Sequence, residues 1–168
     1  FGMSRETIQQ LTSIGVQTID ISGQGGTNFA QIENYRRDSD KYDYLEGWGQ
    51  STVISLVEAQ PYVNQVEILA SGGIRNPLDI IKSLSLGARA VGLSGLFLHM
   101  ALRDGVETTI LEIEAWKKQL ASIMTLLGKK SIKDLTQTDL ILLGDVKDWC
   151  DARHIDASLF ANRSSINR

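Results

Sequence analysis

The sequence predicts an α/β fold in which short parallel strands alternate with helices. Three strands are predicted at 16–22, 66–70 and 90–93, and the stretches around them carry apolar residues at helical spacing. Such alternation is typical of a parallel sheet covered by helices. The two later strands are short and almost wholly apolar, so we expect both of their faces to be covered.

The first predicted elements are a helix over 4–14 and the strand over 16–22. Ser4 can cap the helix, apolar residues recur along it at helical spacing, and Gly15 can end it. In the strand, apolar residues alternate with three polar ones, which are Thr18, Asp20 and Ser22. We expect the apolar side to pack against helices and the polar side to face inward near the carboxyl end of the strand.

A long connection follows the first strand. It begins with the glycines Gly23, Gly25 and Gly26 and continues to Gly49. Ordinary connections in α/β units take roughly 2–6 residues, so we expect a lid or the wall of a binding site. The alternative is a solvated excursion whose aromatic residues pack locally, these being Tyr42, Tyr44 and Trp48.

Further helices are predicted along the rest of the core. One covers 51–63, with Pro61 in or near its last turn. Another joins the two later strands. A short helix covers 96–102, and a long helix with a broad apolar face covers 107–127 and is ended by Gly128.

The remaining sequence is predicted to form a small cap and a tail. Short helical pieces are predicted within this region at 131–135, 138–143 and 145–154. We therefore divide the chain into a core over 1–128, a helical cap over 129–155 and a tail over 156–168. The tail is polar and has no periodicity, so we expect it to be frayed or extended.

The two later strands each end in a turn of small residues, and these turns are the candidate binding site. The turns are Ser71-Gly72-Gly73 and Ser94-Gly95. Small residues let a ligand approach the backbone, and free N–H groups there can bind an anion. The loops after strands 7 and 8 of a (β/α)8 barrel commonly bind phosphate in this way, and the helix N-terminus after the second turn favours it. Glycines that only permit tight turns are the alternative for either turn alone.

Three strands that end in this pair of turns fit the second half of a barrel. A doubly wound sheet is the alternative, but there the phosphate loop usually follows the first strand. Phe1 and Gly2 are interpreted as the end of an earlier strand and its turn, and the sequence lacks an initiator Met. We therefore expect the chain to be part of a longer protein.

Composition and charge limit the classes of function. The 168 residues are 42% hydrophobic and 22% charged, as in an ordinary globular domain. A net charge of −3 gives no support for a nucleic-acid surface. The single cysteine, Cys150, excludes an internal disulfide and a thiolate metal cluster. No apolar run approaches the roughly 20 residues of a membrane span, so we expect no membrane contact. We also expect a cytoplasmic location.

Two motifs carry a resemblance to a known family. They are IDISGQGGTNF at 19–29 and ASGGIRNPLDIIKSLSLGARAVGLSG at 70–95. Together they resemble the FMN-dependent type 2 isopentenyl-diphosphate isomerases. The first motif is specific to that family, whereas many FMN-binding barrels share the second. The segment DLTQTDLILLG at 134–144 also resembles the carboxyl-terminal part of the family.

The resemblance implies a fold, a reaction and a set of cofactors. The family folds as an FMN-binding (β/α)8 barrel and interconverts isopentenyl diphosphate and dimethylallyl diphosphate. It uses reduced FMN, Mg²⁺ and NADPH as the reductant, with no net redox change, and the flavin acts in proton transfer. A homo-oligomer, either a tetramer or an octamer, is also implied.

The resemblance also implies individual site residues. By position, Thr27 matches a threonine that contacts the flavin. A phosphate loop is matched by Gly72 and Gly73 with Ile74 or Arg75, and backbone donors after the next strand are matched by Leu93 and Ser94. The family's flavin-binding lysine and its substrate, diphosphate and Mg²⁺ residues match no part of this sequence. No catalytic or metal residue is therefore assigned here.

Other functions stay open at this point. Another FMN-dependent barrel oxidoreductase is one alternative, and a half-barrel that binds a phosphate ligand without catalysis is another. Two related enzyme classes are disfavoured. The 2-hydroxy-acid oxidases place a histidine base after the corresponding strand, and inosine-monophosphate dehydrogenases need a nucleophilic cysteine in a barrel loop, where this sequence has neither.

Five polar residues have a structural and a functional interpretation. His99 is expected to be packed or to lie at a helix end, and His154 to be solvated. Cys150 is expected to be packed or partly exposed, with no neighbour to activate it. Asp20 is interpreted as a buried ion-pair partner, with a site role as the alternative. Arg75 is expected either to bind phosphate or to pair with Asp79.

Overall fold

The computed structural model describes residues 1–166 and contains a three-stranded parallel sheet. The strands are β1 (Thr18–Asp20), β2 (Glu67–Ser71) and β3 (Ala90–Gly92). They lie side by side in sequence order, with Ile19 paired to Ile68 and Ala70 paired to Val91. The predicted α/β class with parallel strands is confirmed.

Helices precede, separate and follow the strands. The first is α1 (Arg5–Ser13), capped by Ser4 as predicted. Between β1 and β2 lie α2 (Phe29–Arg36), a 3-10 turn at Asp43–Leu45, α3 (Thr52–Ala59) and a second 3-10 turn at Gln60–Tyr62. The helix between β2 and β3 is α4 (Pro77–Ser85). After β3 the chain forms α5 (Gly95–Asp104), α6 (Val106–Leu126), α7 (Ile132–Leu135), α8 (Asp145–Ala152), α9 (Ser158–Ala161) and α10 (Arg163–Ile166).

One face of the sheet is buried, and the other is not covered by the described residues. Ile19 and Ile68 face the main core, where they pack with Ile8 of α1 and Leu56 of α3. On the opposite face, Asp20 and its neighbours along the strands are exposed or half-buried. The expectation that both faces of β2 and β3 are covered is therefore wrong for this chain. This prediction was wrong because the uncovered face of these two strands also carries apolar or small residues, namely Leu69, Ala90 and Gly92.

A second core lies between α4, α6 and α7. Its buried members are Ile80, Ile81, Leu84, Trp116 and Leu135. The Phe97 ring meets Trp116 edge-on at 5.2 Å, which joins α5 to this core. Much of the predicted apolar face of α6 is exposed, since more than half of Ile110 and of Leu111 is accessible to solvent.

A buried carboxylate fastens α8 to the main core. Glu58 of α3 is fully buried and accepts hydrogen bonds from the indole of Trp149 and the guanidinium of Arg153, both at 2.8 Å. The backbone N–H of Arg5 donates a third bond at 3.1 Å. Burial acts to raise the pKa of Glu58, but these hydrogen bonds outweigh it and hold the pKa below its ordinary value.

The carboxyl-terminal region differs from the sequence prediction in two places. Residues 138–143 are not helical; Leu140 donates to the carbonyl of Phe160 at 2.8 Å, and this segment packs on the main core. The tail, expected to be frayed, forms α9 and α10. Phe160 is 3% exposed, and Arg163 donates to the carbonyl of Ser85 at 2.6 Å. Residues 167–168 of the predicted tail lie outside the described residues.

Across residues 1–166, we find no helix with the length and apolar content required to cross a membrane.

Candidate functional site

The two small-residue turns lie next to each other at the same end of the sheet. Strands β2 and β3 are parallel and adjacent, and Ser71 pairs with Gly92 at their carboxyl ends. The turn at Gly72-Gly73 and the turn at Ser94-Gly95 therefore leave the sheet side by side. A single phosphate group requires this arrangement if it is to contact both turns.

The first turn has a backbone conformation that favours glycine and leaves two successive N–H groups without a protein acceptor among residues 1–166. Gly72 and Gly73 both have positive φ angles, +90° and +73°, which side chains other than glycine rarely tolerate. The hydroxyl of Thr52 lies 3.1 Å from the carbonyl oxygen of Ser71 and 2.5 Å from that of Gly72. Successive N–H groups in a turn of this kind can converge on an anion. The N–H groups of Gly72 and Gly73 donate to no protein acceptor within the described chain.

The second turn leads directly into a helix N-terminus. Ser94 occupies the N-cap position of α5, and its side chain makes no capping hydrogen bond. The first N–H groups of the helix are therefore left for another acceptor, and the helix dipole favours an anion at this end. The side chain of Leu93 packs against the second core, so this residue can offer only its backbone to a ligand.

The glycine loop after β1 packs directly on the first turn. The N–H of Gly23 donates to the carbonyl of Ser71 at 2.8 Å. A Cβ atom added to Gly25 would lie 2.8 Å from the Cα atom of Gly73, and one added to Gly26 would lie 3.0 Å from the Cα atom of Gly72. The two loops can approach this closely only because glycines face each other.

Thr27 lies at the exposed end of this loop. Its side chain makes no hydrogen bond to the described residues, so its hydroxyl is free to meet a ligand. The adjacent Asn28 caps α2, accepting from the N–H of Gln31 at 3.0 Å and donating to the carbonyl of Glu46 at 2.8 Å. Asn28 thus fixes the backbone beside Thr27, whose contact with a flavin stays a prediction.

The connection over 25–49 forms a loop with the buried amide of Asn34 at its centre. The two ends of the loop are joined by the hydrogen bond from the Gln24 N–H to the Gln50 carbonyl at 2.8 Å. Inside, the side chain of Asn34 accepts from the N–H of Tyr42 at 2.7 Å and donates to Asp43 and Glu46. The predicted local packing of aromatic residues is found for Tyr42, whose ring meets that of Tyr44 edge-on at 6.1 Å, whereas Trp48 is 72% exposed. A role as a lid or wall stays a prediction.

Arg75 does not form the predicted side-chain ion pair with Asp79. Instead, Asp79 accepts from the backbone N–H of Arg75 at 3.0 Å, and Asn76 caps α4. The guanidinium of Arg75 is exposed and unpaired within residues 1–166, which leaves it available to an anion. Ile74 packs against the second core through its side chain.

Asp20 is not a buried ion-pair partner. Its carboxylate is exposed on the uncovered face of the sheet and accepts from the hydroxyl of Ser71 at 2.8 and 3.0 Å. It also accepts from the N–H of Ser22 at 3.0 Å. The sequence prediction failed because it assumed a covered face. Asp20 instead ties the carboxyl end of β1 to that of β2, immediately below the glycine turns.

The other polar candidates lie away from the turns. His99 is exposed in the middle of α5, so the expectation of a packed or helix-end histidine is wrong, whereas His154 is exposed as predicted. Cys150 is fully buried in the main core, and this burial raises the pKa of its thiol, as expected for a packed cysteine. In the described part of the chain, no group of three or more His, Cys, Asp or Glu side chains is placed to hold a metal ion.

Sequence reasoning missed Thr52 altogether. Its hydroxyl reaches the Gly72-Gly73 turn from a helix that begins 20 residues earlier in the chain. No local motif indicates such a contact. The only available signal was its position, one residue after the N-cap Ser51, since such a residue lies near the carboxyl ends of parallel strands.

The sequence of this chain matches known proteins along most of its length. The family model of the FMN-dependent dehydrogenases matches residues 3–142. The isopentenyl-diphosphate delta-isomerase of Latilactobacillus sakei subsp. sakei (strain 23K) is 52% identical over 155 residues, which are 92% of this chain and 44% of the relative. The protein of the same name from Streptomyces sp. (strain CL190) is 48% identical over 164 residues, 98% of this chain and 45% of the relative. The resemblance read from the two motifs is confirmed, and the chain spans about half the length of the curated relatives it matches.

Solved structures show the same fold at lower identity. A flavocytochrome b2 variant with sulfite bound superposes with a TM-score of 0.60 at 22% identity, covering 88% of this chain and 38% of that one. The recombinant flavin-binding domain of baker's yeast flavocytochrome b2 gives 0.57 at 24% identity, covering 88% and 37%. These similarities establish the fold alone.

Proposed function

This chain belongs to the FMN-dependent dehydrogenase family, and we propose that it supplies the part of an isopentenyl-diphosphate isomerase that binds the flavin phosphate. The enzyme would interconvert isopentenyl diphosphate and dimethylallyl diphosphate. The observation that carries the proposal is the pair of backbone turns, Gly72-Gly73 and Leu93-Ser94, at adjacent carboxyl ends of β2 and β3.

The residues present fit the phosphate of FMN. The first turn offers N–H groups that have no protein acceptor among residues 1–166. The exposed guanidinium of Arg75 adds a positive charge beside the turn. We assign the phosphate to the backbone of Gly72, Gly73 and Ile74 with Arg75, and to Leu93 and Ser94. Thr27 would contact the flavin from the neighbouring loop.

We further propose that β1, β2 and β3 are strands 6, 7 and 8 of a (β/α)8 barrel. The uncovered face of the sheet, with Asp20 near its carboxyl end, would then face the barrel axis. The N–H of Gly2 donates to the carbonyl of Ser22 at 2.8 Å, so the start of the chain runs beside the end of β1, where the preceding strand of a barrel would lie. The first half of the barrel would supply the substrate and metal residues.

The cofactors divide between the two halves. Reduced FMN would supply proton transfer to and from the allyl unit without net oxidation, with NADPH as the reductant that prepares it. Mg²⁺ would neutralise the diphosphate. The residues of this chain would bind and orient the phosphate end of the flavin. Their hydrogen bonds would hold the glycine loops after β1 and β2 against each other. We also propose that the full-length protein forms a homo-oligomer in the cytoplasm.

An isomerase assay on the full-length protein that carries this chain tests the function. We expect the purified protein to bind FMN and, with Mg²⁺ and NADPH, to convert isopentenyl diphosphate to dimethylallyl diphosphate. The isolated 168-residue chain should show no turnover under the same conditions. Oxidation of a 2-hydroxy acid without isomerisation would favour another flavin oxidoreductase, and a protein that binds no flavin would refute the proposal.

A further inference from the structure

We propose that Thr52 is a positioning residue for the phosphate end of the flavin, an inference that rests on the proposed function. Thr52 is the first residue of α3 and is 6% exposed. Its hydroxyl is within hydrogen-bonding distance of two successive carbonyl oxygens, those of Ser71 and Gly72. No part of Thr52 needs to touch the ligand for this role.

The contact sets the direction of the N–H groups that the phosphate would use. In a trans peptide the C=O and the following N–H point in opposite directions, and no peptide bond among the described residues is cis. The carbonyl of Ser71 belongs to the same peptide unit as the N–H of Gly72, and the carbonyl of Gly72 to the same unit as the N–H of Gly73. Because both carbonyls point toward Thr52, both N–H groups point away from it.

Two successive N–H groups on one side do not occur in an extended strand, where they alternate between the two sides, so the turn must be held out of that conformation. The positive φ angles of Gly72 and Gly73 allow the change, and the hydroxyl of Thr52 gives the two carbonyls a common partner. The result is a pair of N–H groups on one side of the turn, which suits an anion.

Thr52 is itself held rigidly. Ser51 caps the same helix by accepting from the N–H of Ile54 at 3.2 Å, and Leu56 and Glu58 of that helix are fully buried. Gly23 packs so closely on the backbone of Thr52 that a Cβ atom there would lie 2.4 Å from the Thr52 nitrogen. The hydroxyl is therefore a fixed point on the core rather than a mobile surface group.

A comparison of FMN with riboflavin isolates this role. Riboflavin lacks the phosphate, so its affinity reports the flavin site without the turn. In the full-length protein, Thr52→Val keeps the side-chain shape and removes the hydroxyl, whereas Thr52→Ser keeps the hydroxyl. Ser51→Ala weakens the same helix by removing its cap and serves as the control for lost stability. Affinities are measured by flavin fluorescence titration, with folding checked by circular dichroism.

We expect Thr52→Val to raise the Kd for FMN roughly five- to tenfold, as for the loss of one hydrogen bond, and to leave the Kd for riboflavin within about twofold. Thr52→Ser and Ser51→Ala should keep the wild-type ratio of the two constants. Thr52→Ala replaces Thr52→Val if the valine variant does not fold. Equal weakening of both flavins, or no weakening of either, would overturn the positioning role. A wild-type protein that binds no FMN would refute the proposed function itself, before any variant is made.

Discussion

Arg153 and Glu58 form an ion pair at 2.8 Å that links the end of α8 to the centre of the main core. Glu58 is fully buried, whereas Arg153 lies near the surface and also bonds to Glu6. The pair joins parts of the chain that are 95 residues apart. Since removal of one partner leaves a buried carboxylate under-bonded, the pair stabilises the docking of the carboxyl-terminal cap.

Arg153→Leu should therefore destabilise the protein. Trp149 and the backbone of Arg5 still donate to Glu58, so we expect a loss of about 1–3 kcal/mol in the free energy of unfolding, typical of one unsatisfied buried acceptor. The measurement is a urea unfolding curve. Lys147→Met, which removes an exposed pair with Asp151 on the same helix, should destabilise the protein much less than Arg153→Leu. Equal effects of the two variants would show that Glu58 does not depend on Arg153.

The same network predicts a dependence of stability on pH. The pKa of Glu58 is held below its ordinary value of 4.5, and the pKa of Glu6 is lowered to about 2 by its hydrogen bond with Arg153. A depressed carboxyl pKa stabilises the folded state above the unfolded pKa, and this contribution is lost as the pH falls through the folded value. The wild-type advantage over Glu58→Gln in unfolding free energy should therefore shrink as the pH falls below about 4.5. A difference that stays constant down to acid unfolding would contradict this assignment.

The sequence predicted well the features that depend on neighbouring residues. It predicted poorly the features that depend on contacts between residues far apart in the chain. Gly15, Gly128 and the N-cap residue Ser4 mark helix ends through short-range rules, and the structure confirms them. Phe160, by contrast, lies in a polar stretch without periodicity, and only contact with the main core reveals why the tail folds.

The residues of the candidate site show the same difference between local features and long-range contacts. The glycine turns could be read directly, because positive φ angles demand glycine. The contacts of Thr52 with Gly72 and of Asp20 with Ser71 depend on strand register and on which sheet face is covered, neither of which a single sequence specifies.

Gly25→Val should weaken FMN binding in the full-length protein more than Gly26→Val. Gly25 has a φ angle of +100° and faces Gly73, whereas the φ of Gly26 lies outside the positive range. A β-branched residue in that conformation costs about 1–3 kcal/mol. Because the free loop can relax away from this conformation whereas packing against Gly73 requires it, we expect a rise in Kd of roughly five- to 150-fold. Gly47→Ala is the matched control, because a Cβ there would meet no atom within 4 Å. If Gly25→Val folds and binds FMN with wild-type affinity, the packing of the loop after β1 on the Gly72-Gly73 turn does not matter for FMN binding.

Thr27→Val tests the flavin contact of the loop after β1. The exposed hydroxyl has no partner in the described chain, so its removal should leave the fold intact. If the hydroxyl bonds to the flavin, we expect a loss of roughly 1–3 kcal/mol, or about a five- to 150-fold weakening of FMN binding. Thr125→Val, on the exposed side of α6, should leave FMN affinity unchanged. Unchanged affinity in Thr27→Val would place this residue outside the cofactor site.

A crystal structure of the full-length protein with FMN would show where the flavin phosphate binds. We expect phosphate oxygens within roughly 3.2 Å of the backbone nitrogens of Gly72 or Gly73 and of Ser94 or Leu93. The hydroxyl of Thr52 should remain on the carbonyl side of the first turn. A flavin phosphate bound elsewhere, with both turns facing solvent, would contradict the assignment of this chain as the half that binds the flavin phosphate.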